Sequence, residues 1–185
     1  MEKKGTEPKM LFVDISKCLA CRSCELACAI EHSVSKELTE AIQESPRPAP
    51  RVSVEAAGES AVPLQCRHCE DAPCITVCPT AALEKLGPSL PVLIKEERCI
   101  GCRFCVMVCP FGVITLRQDG KVALKCDLCL TRCETGAEPA CVEACHTGAL
   151  QFLSADQIAA RKRRAAAKTM AEASRQSEKL AAESK

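Results

Sequence analysis

Tryptophan and tyrosine are absent from this chain, and phenylalanine occurs only four times in 185 residues. An apolar core must come from Val, Ile, Leu and Ala, and it is thin for the length. Small domains with thin cores usually rely on disulfides or metals as staples. No run of apolar residues approaches the length that spans a bilayer. The N-terminus, MEKKGTEPKMLFVDIS, has neither a long apolar segment nor a twin arginine ahead of one. A secretory leader is therefore not expected and a cytoplasmic location is, peripheral to a membrane complex only through partners. That removes the oxidising compartment that disulfides need. A basic groove with interleaved aromatics is also missing, which argues against nucleic-acid binding. So is any Ser/His/Asp constellation or substrate-pocket motif, which argues against an enzyme acting alone.

What the chain has instead is cysteine, 17 of them, and 16 fall into four quartets. The first is Cys18, Cys21, Cys24 and Cys28, spaced C-x2-C-x2-C-x3-C. The second is Cys66, Cys69, Cys74 and Cys78, spaced C-x2-C-x4-C-x3-C and followed by Pro79. The third, Cys99, Cys102, Cys105 and Cys109, repeats the spacing of the first and is followed by Pro110. The fourth is Cys126, Cys129, Cys141 and Cys145, with a long gap in its middle. The first and third match the run by which bacterial ferredoxins bind [4Fe–4S] clusters. Three thiolates a few residues apart wrap three irons of one cubane, and the fourth, carried off by the next turn of chain, reaches a neighbouring cluster. Zinc is the competing reading and would make the chain a zinc-stabilised scaffold protein. Zinc needs only four ligands per ion, typically two C-x2-C pairs, so the third and fourth cysteines at this spacing are superfluous for it. Sixteen ligands of this kind predict four [4Fe–4S] clusters.

The quartets are duplicated. CLACRSCELAC (Cys18 to Cys28) and CIGCRFCVMVC (Cys99 to Cys109) share their spacing and an Arg between the second and third cysteines. CITVCPTAAL (Cys74 to Leu83) and CVEACHTGAL (Cys141 to Leu150) agree at Cys, Cys, Thr, Ala and Leu. The chain reads as a two-cluster unit repeated, with its extra length between Cys28 and Cys66. That length holds Pro46-Arg47-Pro48-Ala49-Pro50, which favours an extended conformation. It reads either as a solvated loop or as a docking element.

Strands are expected at Met10 to Ile15, Leu90 to Lys95 and Ala149 to Leu153. A hairpin is expected over GVITLRQDGKVALKC, turning at Asp119-Gly120. Short helices should follow the x3 spacing at Glu25 to Ile30 and Val106 to Cys109. The tail from Ser154 to Lys185 is rich in good helix formers, with Ser154 and Gln157 as a capping box. It carries four consecutive positive charges, Arg161 to Arg164. Those charges are either a solvated face or a contact for an acidic partner.

The four quartets in this order resemble the four-cluster ferredoxin-like electron-transfer subunits of anaerobic oxidoreductases. Iron–sulfur subunits of dimethyl sulfoxide reductase, formate dehydrogenase and formate hydrogenlyase belong to that family. CDLCLTRCETGAEPACVEACHTGAL is close to its fourth-quartet pattern, and the likeness covers roughly Lys9 to Leu153. ELACAIEHS, PRPAPRVSVE and VPLQCRHCEDAPC look most like the CooF-type iron–sulfur protein of carbon monoxide dehydrogenase. The resemblance implies an α+β fold of two pseudo-symmetric, two-cluster ferredoxin-like domains with sparse secondary structure and a C-terminal helix. Residues 9–30 with 113–153 would form the outer domain and 62–112 the inner one. Residues 31–61 would be an inserted Pro-rich loop and 154–185 a helical tail. It also implies crossed ligand sets. Cys18, Cys21 and Cys24 would join Cys145; Cys126, Cys129 and Cys141 would join Cys28. Cys66, Cys69 and Cys74 would join Cys109; Cys99, Cys102 and Cys105 would join Cys78. Spacing alone leaves adjacent pairing open.

The implied function is an electron wire rather than an enzyme, from carbon monoxide dehydrogenase to a hydrogenase or another oxidoreductase. The alternative is a formate dehydrogenase, hydrogenlyase or molybdoenzyme subunit. Four oxidised clusters would take the formal charge from +1 to about −7. His146 stands where the family usually has proline, as a surface histidine or as a donor that raises a cluster's potential. Cys133 reads as a spare thiol, the alternative being a competing ligand. His68, between Cys66 and Cys69, is an iron ligand in principle, but with four cysteines in its quartet it reads as a surface residue, as does His32.

Overall fold

Each cysteine quartet makes the chain double back within a few residues, and positive φ angles mark the places. The protein is described here by a computed structural model covering residues 8–88 and 90–183, with side chains as far as residue 177. Positions 1–7 of the N-terminal stretch, Ser89 and the last two residues of the tail lie outside the described residues. In the first C-x2-C pair of each quartet the residue before the second cysteine is left-handed: Ala20 (φ 56°), His68 (48°), Gly101 (67°) and Leu128 (59°). Such a conformation costs an L residue about 1–2 kcal/mol, so its recurrence in four different sequences follows the cysteine geometry rather than local preference. A second left-handed residue closes the turn after three of the quartets, at Ala81, Gly112 and Gly148.

The regular elements are short. In chain order they are β1 (Lys9–Val13), α1 (Ser23–Glu31), α2 (Leu38–Ala41), β2 (Val52–Ala57), β3 (Ser60–Gln65), α3 (Pro73–Thr76), β4 (Leu83–Lys85) and β5 (Val92–Ile94). They continue with α4 (Phe104–Val108), β6 (Thr115–Leu116), β7 (Ala123–Leu124), α5 (Leu130–Glu134), α6 (Ala140–Glu143), β8 (Leu150–Ser154) and α7 (Ala155–Glu183). The strands form four two-stranded sheets, β1 with β8, β2 with β3, β4 with β5 and β6 with β7. The expected strands at Met10, Leu90 and Ala149 all form within a residue or two of their bounds. The β6–β7 hairpin pairs Thr115 with Leu124 and Leu116 with Ala123, and Gly120 (φ 68°) stands in its turn.

The described residues divide into two compact units, Leu11–Phe152 and the chain ends that flank it. Within Leu11–Phe152, α1 packs on α6 and α3 on α4. The first quartet's helix thus meets the fourth's, and the second's meets the third's. Two buried clusters accompany these pairs. One gathers Leu11, Val52, Val54, Leu128, Val142 and Leu150 around Cys24, Cys28, Cys126 and Cys141. The other gathers Leu83, Val92, Ile114 and Ala123 around Cys74 and Cys105. In the other unit α7 opens with the expected capping box: Gln157 Oε1 accepts from Ser154 N–H at 2.9 Å, and Ser154 Oγ accepts from Gln157 N–H at 3.3 Å. No helix among the described residues is long and apolar enough to cross a membrane.

Residues 31–61 differ from a plain Pro-rich loop. They hold α2 and most of a hairpin whose strands run from Val52 to Gln65 around the Gly58-Glu59 turn. The alternation Val52-Ser53-Val54-Glu55 buries both valines, at 4 % and 3 % exposure, and turns Ser53 and Glu55 to solvent. The proline segment ends where this period-two pattern begins, and burial of the valines fixes the register.

Candidate metal centres

The cysteine sulfurs gather across quartets rather than within them. Cys18, Cys21 and Cys24 line an enclosure completed by Cys145. Cys66, Cys69 and Cys74 line a second with Cys109. Cys99, Cys102 and Cys105 line a third with Cys78. The remaining four, Cys28, Cys126, Cys129 and Cys141, are all buried. Burial pushes the Cys126 thiol up to about 12, and the neighbouring Cys28 sulfur adds to it. Cys141 is raised by burial, then by Cys126, Cys28 and Cys129. Cys24 and Cys129 are pushed up to about 11, again chiefly by burial. Thiols crowded and dried in this way ionise when a cation stabilises the thiolates together, so metal binding here releases protons.

Backbone N–H groups are aimed at the sulfurs. Ala82 donates to Cys78 and Leu150 to Cys145, each at 3.3 Å. Thr80 and Thr147 place their hydroxyls 3.7 Å from the same two sulfurs, so the duplication extends to the surroundings of the ligands. Burial raises both thiols, but hydrogen bonds, led by the backbone N–H of Leu83 at Cys78 and of Leu150 at Cys145, outweigh it and lower them. His68 N–H and Leu128 N–H donate to Cys66 and Cys126, each at 3.4 Å. Ala123, in the β6–β7 hairpin, donates to Cys99 at 3.4 Å.

Both histidines read as surface residues are not. His68 lies inside its C-x2-C turn with Nδ1 accepting from Val92 N–H at 3.0 Å. Nε2 therefore carries the proton, and this buried donor has no partner among the described residues. Burial, then the charge of Lys125, hold the imidazole neutral, down to about 3. His32 stacks over the end of α1, with Nδ1 2.7 Å from the Cys28 carbonyl and Nε2 3.2 Å from Asp127. Burial opposes its protonation, but Asp127 wins and raises it to about 10. His146 is exposed. Cys133, on α5, is aimed at the Leu128 carbonyl at 3.3 Å.

Sequence reading missed a charged lattice around Cys28. Arg51 donates its backbone N–H to Cys28 Sγ at 3.2 Å and its guanidinium to Asp127 at 2.6 Å. Asp127 also accepts from Cys129 N–H at 2.9 Å. The signal was present in KCDLC, where charged residues stand beside and inside a C-x2-C pair.

Sulfur-only donor sets, N–H groups directed at sulfur and the orphaned Nε2–H of His68 all fit a group rich in acceptor sulfides. The 4Fe-4S dicluster domain family matches residues 59–155. An iron–sulfur protein of Rhodospirillum rubrum is 44 % identical over 173 residues, covering 86 % of this chain and 90 % of the relative. The electron transport protein HydN of Escherichia coli K12 is 36 % identical over 174 residues, covering 84 % and 95 %. The thiosulfate reductase electron transfer subunit PhsB of Salmonella typhi is 36 % identical over 153 residues, covering 82 % and 79 %. The chain belongs to the 4Fe-4S dicluster domain family and is a ferredoxin-like electron-transfer protein with four [4Fe–4S] clusters.

Proposed function

We propose that the chain is a non-catalytic relay taking electrons from carbon monoxide dehydrogenase to a hydrogenase or another oxidoreductase. Bound [4Fe–4S] clusters supply one-electron redox chemistry. The chain's residues hold them in the crossed sets: Cys18, Cys21, Cys24 with Cys145; Cys28 with Cys126, Cys129 and Cys141; Cys66, Cys69, Cys74 with Cys109; Cys78 with Cys99, Cys102 and Cys105. The observation that carries the reading is that three enclosures each close across quartets in this pattern, leaving the fourth buried set. The α1–α6 and α3–α4 pairs support an outer domain (9–30, 113–153) and an inner one (62–112), with Ile114 and Ala123 of the outer range packing into the inner core. Neighbouring sets adjoin: Cys24 acts on Cys141 electrostatically, and Cys74 on Cys105. That contiguity suits stepwise transfer.

The phrases ELACAIEHS, PRPAPRVSVE and VPLQCRHCEDAPC favour carbon monoxide dehydrogenase as donor. A second reading is a subunit of a formate dehydrogenase, hydrogenlyase or molybdoenzyme, and the relative named as a thiosulfate reductase electron transfer subunit favours it. In either case Lys162, Arg163 and Arg164, exposed on α7, offer an acidic partner a salt-sensitive contact. Anaerobic pull-down from native extract, followed by reduction assays, separates the two. Bleaching of the cluster absorbance by carbon monoxide dehydrogenase with CO supports the first. Bleaching only by a formate-linked or molybdoenzyme donor replaces it with the second.

A further inference from the structure

Lys125 is 3 % exposed. Burying an ammonium is expensive unless negative charge compensates it. Its Nζ donates to the Val92 carbonyl and, at 2.8 Å, to the Cys126 carbonyl. Both partners are neutral, and no carboxylate pairs with Lys125 among the described residues. Asp127, two positions away, is held by Arg51 and His32.

The two carbonyls belong to different centres. Val92 lines the enclosure of Cys66, Cys69, Cys74 and Cys109. Cys126 is one of the buried group with Cys28, Cys129 and Cys141. The lysine's charge also acts on thiols of both, Cys74 and Cys126. Arg51 and His32, by contrast, touch only the Cys28 side. An oxidised four-thiolate cluster is dianionic, and reduction adds another negative charge, so a fixed cation beside it favours the reduced form.

We propose that Lys125 is the charge-compensating cation shared by the two middle cluster sites, and that it raises the reduction potential of both. The outer two sites, at Cys18 to Cys24 with Cys145 and at Cys99 to Cys105 with Cys78, lack this cation. The relay therefore has a sink at its centre, where an electron rests between delivery and release. This rests on the ligand sets proposed above.

The test is an anaerobic potentiometric titration followed by EPR on the full chain, with iron and sulfide counted first. Fewer than four clusters in the wild type overturns the ligand sets themselves, before any variant is made. Lys125→Gln keeps a donor for the two carbonyls and removes the charge. It should lower two of the four potentials, by about tenfold in the reduction equilibrium, or about 59 mV for a one-electron couple. The other two should stay in place, and Lys125→Arg should restore the wild-type pattern. Four unchanged potentials in fully loaded Lys125→Gln overturn the proposal, as does an equal displacement of all four. The same displacement in Lys125→Arg also overturns it. If Lys125→Gln loses iron, the count decides. Loss from two sites with full loading of Lys125→Arg supports the shared cation, and equal loss in both variants makes packing the cause and overturns it.

Discussion

Arg51 donates its backbone N–H to Cys28 Sγ at 3.2 Å, although 23 positions separate the two residues. The proline segment leads the chain to this point, and β2 after it anchors Val52 in the core. The guanidinium then grips Asp127, whose carboxylate also receives Cys129 N–H. One residue of the insertion therefore organises two cysteines of the same buried set.

Arg51→Met keeps the N–H and removes the guanidinium. The pair it breaks is only partly exposed, 18 % for Arg51 and 33 % for Asp127. A hydrogen bond between charged groups in such a place is worth about 1.5–3 kcal/mol. The variant should still load four clusters but bleach roughly tenfold faster in guanidinium chloride, as followed by cluster absorbance. An unchanged rate would show that Asp127 is held well enough by His32 alone.

Much of this was legible in the sequence. The quartets state the chemistry, the duplicated phrases state the symmetry, and Asp119-Gly120 states a hairpin. Ser154 and Gln157 announce the start of α7 by a local hydrogen-bond pattern that needs no tertiary context. The hairpin in the insertion is not legible, because the Val52-Ser53-Val54-Glu55 alternation is short and its meaning depends on a core built elsewhere. The burial of His32 and His68 is hidden from the sequence for a related reason. Whether an imidazole faces water or Asp127 is decided by residues 95 positions away, and spacing rules do not reach that far.

Glu31, at the end of α1, holds Lys36 and Arg132, each at 3.0 Å, and Arg132 also binds Glu143 at the end of α6. Burial raises the Glu31 carboxyl, but the Lys36 hydrogen bond and the charges of Lys36 and Arg132 outweigh it and hold it below its ordinary 4.5. The stability this group contributes is then present above pH 4.5 and is lost as pH falls through the lower folded value. Wild type should outlast Glu31→Gln at neutral pH, and the gap should close in acid. Half-lives of cluster absorbance, measured side by side from pH 7 down to about 3, check this. A gap that stays constant with pH would mean the glutamine fails for reasons of packing, not charge.

Cys133 and Cys129 are four positions apart and have different surroundings. Cys129 is buried in the set with Cys28, Cys126 and Cys141, whereas Cys133 lines none of the three cysteine enclosures and is aimed at a carbonyl. Cys133→Ser should retain the full iron and sulfide content, and Cys129→Ser should lose or convert one cluster. The reverse pattern in iron counts and EPR would place Cys133 among the ligands.

Ala20 and Gly101 occupy the same step of the duplicated motif, and both are left-handed, at φ 56° and 67°. Alanine is tolerated in the first quartet, yet the third uses glycine. The reason is what lies over it. A Cβ on Gly101 would stand 2.6 Å from the Gly120 carbonyl oxygen and 3.0 Å from that of Lys121. Those carbonyls belong to the β6–β7 turn, whose hairpin also brings Ala123 N–H to Cys99 Sγ. Gly101→Ala thus adds a backbone clash to a conformational cost of about 1–2 kcal/mol. The turn must lift, taking the Cys99 hydrogen bond with it. Ala20→Gly, at the equivalent step, removes strain and meets no clash. Iron counts should show Gly101→Ala short of about one cluster, with the loss confined to the site lined by Cys78, Cys99, Cys102 and Cys105, while Ala20→Gly remains fully loaded. Full loading of Gly101→Ala with unaltered EPR would mean that the hairpin turn yields freely and that its closeness to Gly101 does not hold this site together.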